Sequence, residues 1–151
     1  MPILATSLLA LCAATGAWLD LASRRLPNWL CLLTAILGLG LAFGTLDMAA
    51  LWSPAGHGLI ALAVGMVLFR FGWIGGGDAK FYAACACWFP LGSGLLLLGL
   101  VSAAGLAVVL LWFGYRQATR AHKREGEGRF GMVPYGVPIA IGAVALKVLQ
   151  G

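Results

Sequence analysis

Five acidic residues, Asp20, Asp47, Asp78, Glu125 and Glu127, supply all the side-chain carboxylates of this 151-residue chain. Asp20 and Asp78 stand apart because each abuts a long apolar stretch, where an ionisable side chain is costly and therefore points to function. Two carboxylates brought together at a partly dry boundary resist joint ionisation, so one of them tends to hold a proton. Such a pair can activate water. One carboxylate takes a proton from it, while the other donates to a carbonyl and later to the leaving amine. Each residue also has a plainer reading: Asp78 could cap a helix beginning at Ala79, and Asp20 could pair with Arg24 or Arg25. Asp47 reads as a turn residue. Glu125 and Glu127 read as partners of the basic residues around them, with attraction of a basic substrate segment as the alternative. No serine or cysteine stands beside a histidine in a recognisable nucleophile motif, and neither a metal site nor a cofactor is expected.

The elements that must position the pair follow from composition. Hydrophobic residues make up 62% of the chain and charged ones 10%, against a usual charged share of about 25% in soluble domains. Mean hydropathy is +0.96. A soluble domain of this size keeps too much surface to hide so apolar a chain, and disorder requires the opposite composition. An all-α integral membrane protein remains, read as a single domain over residues 1–151 with the lipid bilayer as its partner. Apolar runs place its crossings at residues 1–19, 29–46, 54–73, 79–89, 91–115 and 130–146. The fourth is only about 16 Å long as a helix, shorter than the roughly 30 Å hydrocarbon core.

Basic residues decide the count. With six crossings, Arg24, Arg25, Arg70, Lys80, Arg116, Arg120, Lys123, Arg124 and Arg129 share one side and Lys147 alone lies toward the other. With five, residues 116–131 would be translocated against the positive-inside rule. The expectation is therefore six helices with both termini outside the cytoplasm, Asp20 and Asp78 at the cytoplasmic border, and His57 and His122 on opposite sides. The first helix lacks a basic region ahead of it and reads as retained, not as a cleaved signal. The basic segment 116–131 reads as a solvated loop facing headgroups, not as a nucleic-acid site.

Smaller features fit the same picture. Trp18, Trp29, Trp52, Trp73, Trp88 and Trp112 all fall near predicted helix ends and read as an interfacial belt. Gly40 and Gly44 have the spacing of a helix-packing motif. Cys12, Cys31, Cys85 and Cys87 read as buried thiols with no zinc-knuckle spacing. Pro27 is expected in the first turn of the second helix. Gly75, Gly76 and Gly77 are expected to break the third run and to permit unusual dihedrals and close backbone approach at a bond the pair would cut. Lys80 reads as tuning Asp78 or snorkelling to headgroups.

These borders carry a resemblance. The segment Asp20-Leu-Ala-Ser-Arg-Arg25-Leu-Pro27-Asn28 resembles the first catalytic motif of type IV prepilin peptidases, with Leu26 where Ile is usual. Gly75-Gly76-Gly77-Asp78-Ala-Lys80 is similar to their GxGD motif and its trailing lysine. Val133-Pro134-Tyr135-Gly136 resembles the Pro-Tyr-Gly segment that opens their last helix, where it shapes a substrate groove or simply starts the helix. The resemblance implies a membrane aspartic endopeptidase of the bacterial inner membrane, with Asp20 and Asp78 as its catalytic pair. Its substrate would be a prepilin or pseudopilin, a basic leader followed by an apolar helix, cut at the cytoplasmic face. Larger members carry an N-terminal region with a four-cysteine zinc cluster and methylate the new pilin N-terminus. No room for that region precedes Asp20, so the short form of tight-adherence (Flp) pilus systems is expected, without the methyltransferase. Two alternatives stand beside this one. The first is another GxGD protease of the presenilin or preflagellin type, whose first motif would not read Arg-Leu-Pro-Asn. The second is a non-enzymatic assembly or proton-translocating subunit with structural aspartates.

Overall fold

A computed structural model describes residues 2–23, 26–45, 47, 48, 50–119 and 135–150. They form six α-helices: α1 (Pro2–Ser23), α2 (Asn28–Thr45), α3 (Trp52–Arg70), α4 (Gly76–Ala86), α5 (Gly94–Thr119) and α6 (Gly136–Gln150). A short 3₁₀ turn, Leu91–Ser93, leads into α5. Four helices, α1, α2, α3 and α5, are long and apolar enough to cross a membrane, and α6 is a shorter apolar helix. The all-helical architecture matches the sequence expectation. Its helix boundaries differ from that expectation around Asp20 and Asp78.

The 11-residue α4 lies inside the bundle. It packs against α3, α2 and α6, while α1 packs on α6 and α2 and α5 packs on α6. Ala83, Ala84, Cys85, Ala86, Cys87, Trp88 and Phe89 at its far end are all buried. A helix covered by neighbours need not match the bilayer thickness by itself, which accounts for so short an element in this position. Small side chains make the enclosure possible, as is usual between membrane helices. A Cβ added at Gly65 of α3 would stand 3.0 Å from the Cβ of Ala79, and Gly58, two turns earlier, abuts Cys87. After α4 the chain returns to the level where α3 began, and the Leu91 N–H donates to Ser53 Oγ at 2.9 Å.

Two expectations about packing are overturned. Trp88 does not join an interfacial belt. It is buried, and its indole N–H donates to the Thr34 carbonyl on α2 at 2.9 Å. Trp18, Trp29, Trp52 and Trp73 are indeed exposed. Nor do Gly40 and Gly44 pack a helix, since a Cβ at either would meet nothing within 4 Å. The packing glycine of α2 is Gly38, where a Cβ would lie 2.7 to 3.0 Å from the Trp88 indole. Gly38→Ala should therefore cost about 1–3 kcal/mol through overpacking, read as a lower thermal midpoint in detergent. An unchanged midpoint would show that the indole has room to move. The four cysteines are buried, as expected.

Candidate active site

The chain ends of α1, α2, α4 and α6 that carry the motifs meet at one end of the bundle. Asp20 lies inside α1, one turn before its last residue, and does not close the helix as the sequence led one to expect. Asp20 is buried, 7% exposed as a residue, and burial of a carboxylate demands a donor. The donor is the backbone N–H of Gly136, 2.8 Å from Asp20 Oδ2. Gly136 is the first residue of α6, so the carboxylate also faces the positive end of a helix dipole. The contact is as close as it is because residue 136 has no side chain. A Cβ there would stand 2.8 Å from Oδ2 and 2.9 Å from the Asp20 Cβ.

Asp78 is the third residue of α4, not a cap preceding a helix at Ala79. The expected break is shorter than predicted, because Gly76 and Gly77 already belong to α4. From this position Asp78 reaches back to the backbone N–H of Gly75, the reciprocal half of a capping box. The glycines serve space and not unusual dihedrals. Gly75 has φ −71° and ψ 141°, and among the described residues the positive-φ glycine is Gly72. A Cβ at Gly75 would stand 2.5 Å from Asp78 Oδ2. One at Gly76 would meet the Phe69 ring at 3.2 Å, and one at Gly77 the Leu26 side chain at 3.3 Å.

Asp78 belongs to none of the four long spans and is half-buried. Burial pushes its carboxyl upward, the negative charge of Asp20 adds to that, and the Gly75 N–H opposes it; the result is about 6. The two carboxylates are thus near enough to feel one another. Lys80 does not sit over Asp78 as a tuning charge. Its ammonium donates to Asn28 Oδ1 at 3.0 Å, tying the start of α4 to the start of α2. Pro27 lies just before the first residue of α2, not within its first turn, and its carbonyl accepts from the N–H groups of Leu30 and Cys31. Tyr135 is exposed beside the start of α6. Arg24, Arg25 and Pro134, with Glu125, Glu127 and His122, lie outside the described residues. No set of three or more His, Cys, Asp or Glu among the described residues is arranged to hold a metal ion.

Two carboxylates from different helices, one of them raised first by burial and then by the charge of the other, are what a protease of the aspartic kind would need. The chain matches the type IV leader peptidase family over residues 7–110. It belongs to that family. The match includes both aspartate-bearing segments, whereas Pro134-Tyr135-Gly136 falls beyond it. No curated protein and no solved structure matches the chain. A leader peptidase is a protease, and this chain is therefore one of a family of proteases.

Two residues beside the candidate site of this leader peptidase family member are not legible in the sequence, Gly16 and Phe81. A Cβ on Gly16 would stand 2.5 Å from the tip of the Phe81 ring, and that ring is fully buried. The available signal was spacing alone. Gly16 precedes Asp20 by four residues and Phe81 follows Asp78 by three, so each shares a helix face with its aspartate.

Proposed function

We propose that this member of the leader peptidase family is an aspartic endopeptidase. It cleaves the basic leader from type IV prepilins or pseudopilins at the cytoplasmic face of the inner membrane. The observation that carries this reading is an Asp78 carboxyl raised by its own burial and then by the charge of Asp20, itself buried and held by a helix N-terminus. Asp20, held by the Gly136 N–H, serves as the base that takes a proton from water. The water oxygen adds to the scissile carbonyl carbon while Asp78 donates its proton to the carbonyl oxygen. When the C–N bond breaks, a proton passes to the leaving amine and the pair returns to its shared-proton state. The Lys80–Asn28 bond supports the same reading, because it joins the Leu-Pro-Asn turn to the Gly-Gly-Gly-Asp segment. The distribution of basic residues supports a cytoplasmic position for this end of the bundle, where a basic leader is presented. The tight-adherence class of substrate and the lack of methyltransferase activity belong to the proposal.

The test uses the full chain in detergent or proteoliposomes. The probe is a synthetic precursor with a basic leader ending in Gly, followed by an apolar helix of about 20 residues. Cleavage after the leader is expected, and proton flux with no cut peptide would instead favour a transport subunit. A pH profile gives a second check. Below about 6 Asp78 holds its proton; above it Asp78 ionises and the acid is lost. The value of kcat/KM should therefore fall with rising pH beyond about 6, roughly tenfold per unit. A profile flat from pH 5 to 8 would contradict the assignment of Asp78 as the acid.

A further inference from the structure

The dyad sits on helices that approach each other at a defined point. Asp20 is carried by α1, which packs on α6 and α2, and Asp78 by α4, which packs on α2, α3 and α6. One turn deeper in the bundle, the Phe81 ring of α4 is seated on the bare backbone of Gly16 of α1. Gly16 is buried and Phe81 is 0% exposed, so the ring is confined on all sides. Gly16 lies about 6 Å below Asp20 along α1, and Phe81 about 4.5 Å below Asp78 along α4. The contact therefore runs parallel to the carboxylate pair and one turn beneath it. Phe81 has no polar group to offer the reaction, and Gly16 has no side chain at all.

We infer that Gly16 and Phe81 are positioning residues whose knob-in-socket contact sets the separation of Asp20 and Asp78. This rests on the peptidase reading given above. Interiors packed to this degree transmit strain, so a methyl placed in the socket must be accommodated by moving one helix or the ring. A Cβ added at Gly16 would stand 2.5 Å from Phe81 Cζ, about 1 Å inside ordinary carbon–carbon contact. Displacement of that size at a reacting pair lowers turnover steeply, whereas binding of a long apolar substrate helix depends little on it.

The charged and titratable groups around Asp78 allow the effect to be told from simple destabilisation. Asp20 of α1 and, from the elements packed on α4, the Cys31 thiol of α2 are within electrostatic reach of Asp78. Lys80 is bound to Asn28. Arg70 at the end of α3 and Tyr135 ahead of α6 are exposed. If α1 is pushed from α4, Asp20 acts on Asp78 less strongly, and the alkaline limb of the pH profile must move toward lower pH.

The experiment compares wild type, Gly16→Ala, Phe81→Trp and Gly16→Ala/Phe81→Leu with the synthetic precursor, per mole of folded enzyme. Ala suits a helix better than Gly, so Gly16→Ala does not weaken α1 itself. Expected for Gly16→Ala is about a tenfold fall in kcat at a KM within twofold, with the alkaline limb displaced to lower pH. Phe81→Trp drives the same wedge from the other helix and should reproduce both changes. Phe81→Leu in the Gly16→Ala background removes the ring tip and should restore kcat and the limb. Gly16→Ala or Phe81→Trp with wild-type kcat and an unmoved limb overturns the inference, as does failure of the double variant to recover. Failure of wild type to cut the precursor would instead count against the peptidase reading.

Discussion

Asp20→Asn and Asp78→Asn should each lower precursor cleavage by about 10³-fold or more while leaving the protein inserted, folded and no less stable. Both replacements preserve shape. At position 20 the amide oxygen can still accept the Gly136 N–H that holds Asp20 Oδ2 at 2.8 Å. At position 78 an amide oxygen can still accept from the Gly75 N–H. What neither amide can do is move a proton at neutral pH. The stability arm has a definite sign. The folded-state carboxyl of Asp78 is raised from 3.8 to about 6, so folding favours its protonated form. That contribution is complete below the unfolded value and is lost as pH rises through about 6. Above that pH an ionised Asp78 works against the fold, and Asp78→Asn should give a thermal midpoint equal to or above that of wild type. Parallel measurement of cleavage and unfolding distinguishes a reacting group from a helix cap. Loss of stability without loss of cleavage would leave the carboxylate a structural role only.

Gly136→Ala should produce the next largest loss, near 30-fold in kcat, with α6 intact. Its methyl would stand 2.8 Å from Asp20 Oδ2, 2.9 Å from Cβ and 3.1 Å from Cγ. Either the start of α6 withdraws and the N–H bond breaks, or Asp20 rotates away. A hydrogen bond to a charged group contributes about 2 kcal/mol, which corresponds to roughly that factor in rate. Since Ala favours helix over Gly, a fall in activity cannot be assigned to fraying of α6. Wild-type turnover by Gly136→Ala would show that Asp20 has another route to its working geometry.

The site was partly legible in the sequence for a physical reason. In lipid, charge is confined to borders, so Asp20, Asp78 and the basic residues mark helix ends almost without other signals. Six helices followed from that distribution. Which face of each helix meets protein did not. A soluble helix betrays its buried side by apolar periodicity, but here both lipid and protein neighbours are apolar and the stripe vanishes. Trp88 therefore reads as a belt residue, whereas its indole crosses to the Thr34 carbonyl. Gly40 and Gly44 looked like packing residues although Gly38 is the one pressed on Trp88. The contact of Gly16 with Phe81 was invisible for the same reason. At the glycine run the residue type was informative but the cause was not, since space beside Asp78, Phe69 and Leu26, and not backbone strain, is what those positions require.

The enclosure of α4 has a consequence for biogenesis. An 11-residue helix bearing Asp78 and Lys80 gains too little from lipid to partition into the bilayer as an independent segment. It must be carried in by what surrounds it, so its insertion waits until α3 is available with the flat strip at Gly58 and Gly65. Its last lining arrives only with α6. Newly made chains therefore pass through a stage in which α4 has been made while Gly136, whose N–H holds Asp20, has yet to be synthesised. On the peptidase reading proposed above, a nascent chain that has not reached residue 136 lacks the backbone partner of Asp20, and so has no assembled pair with which to cut its neighbours.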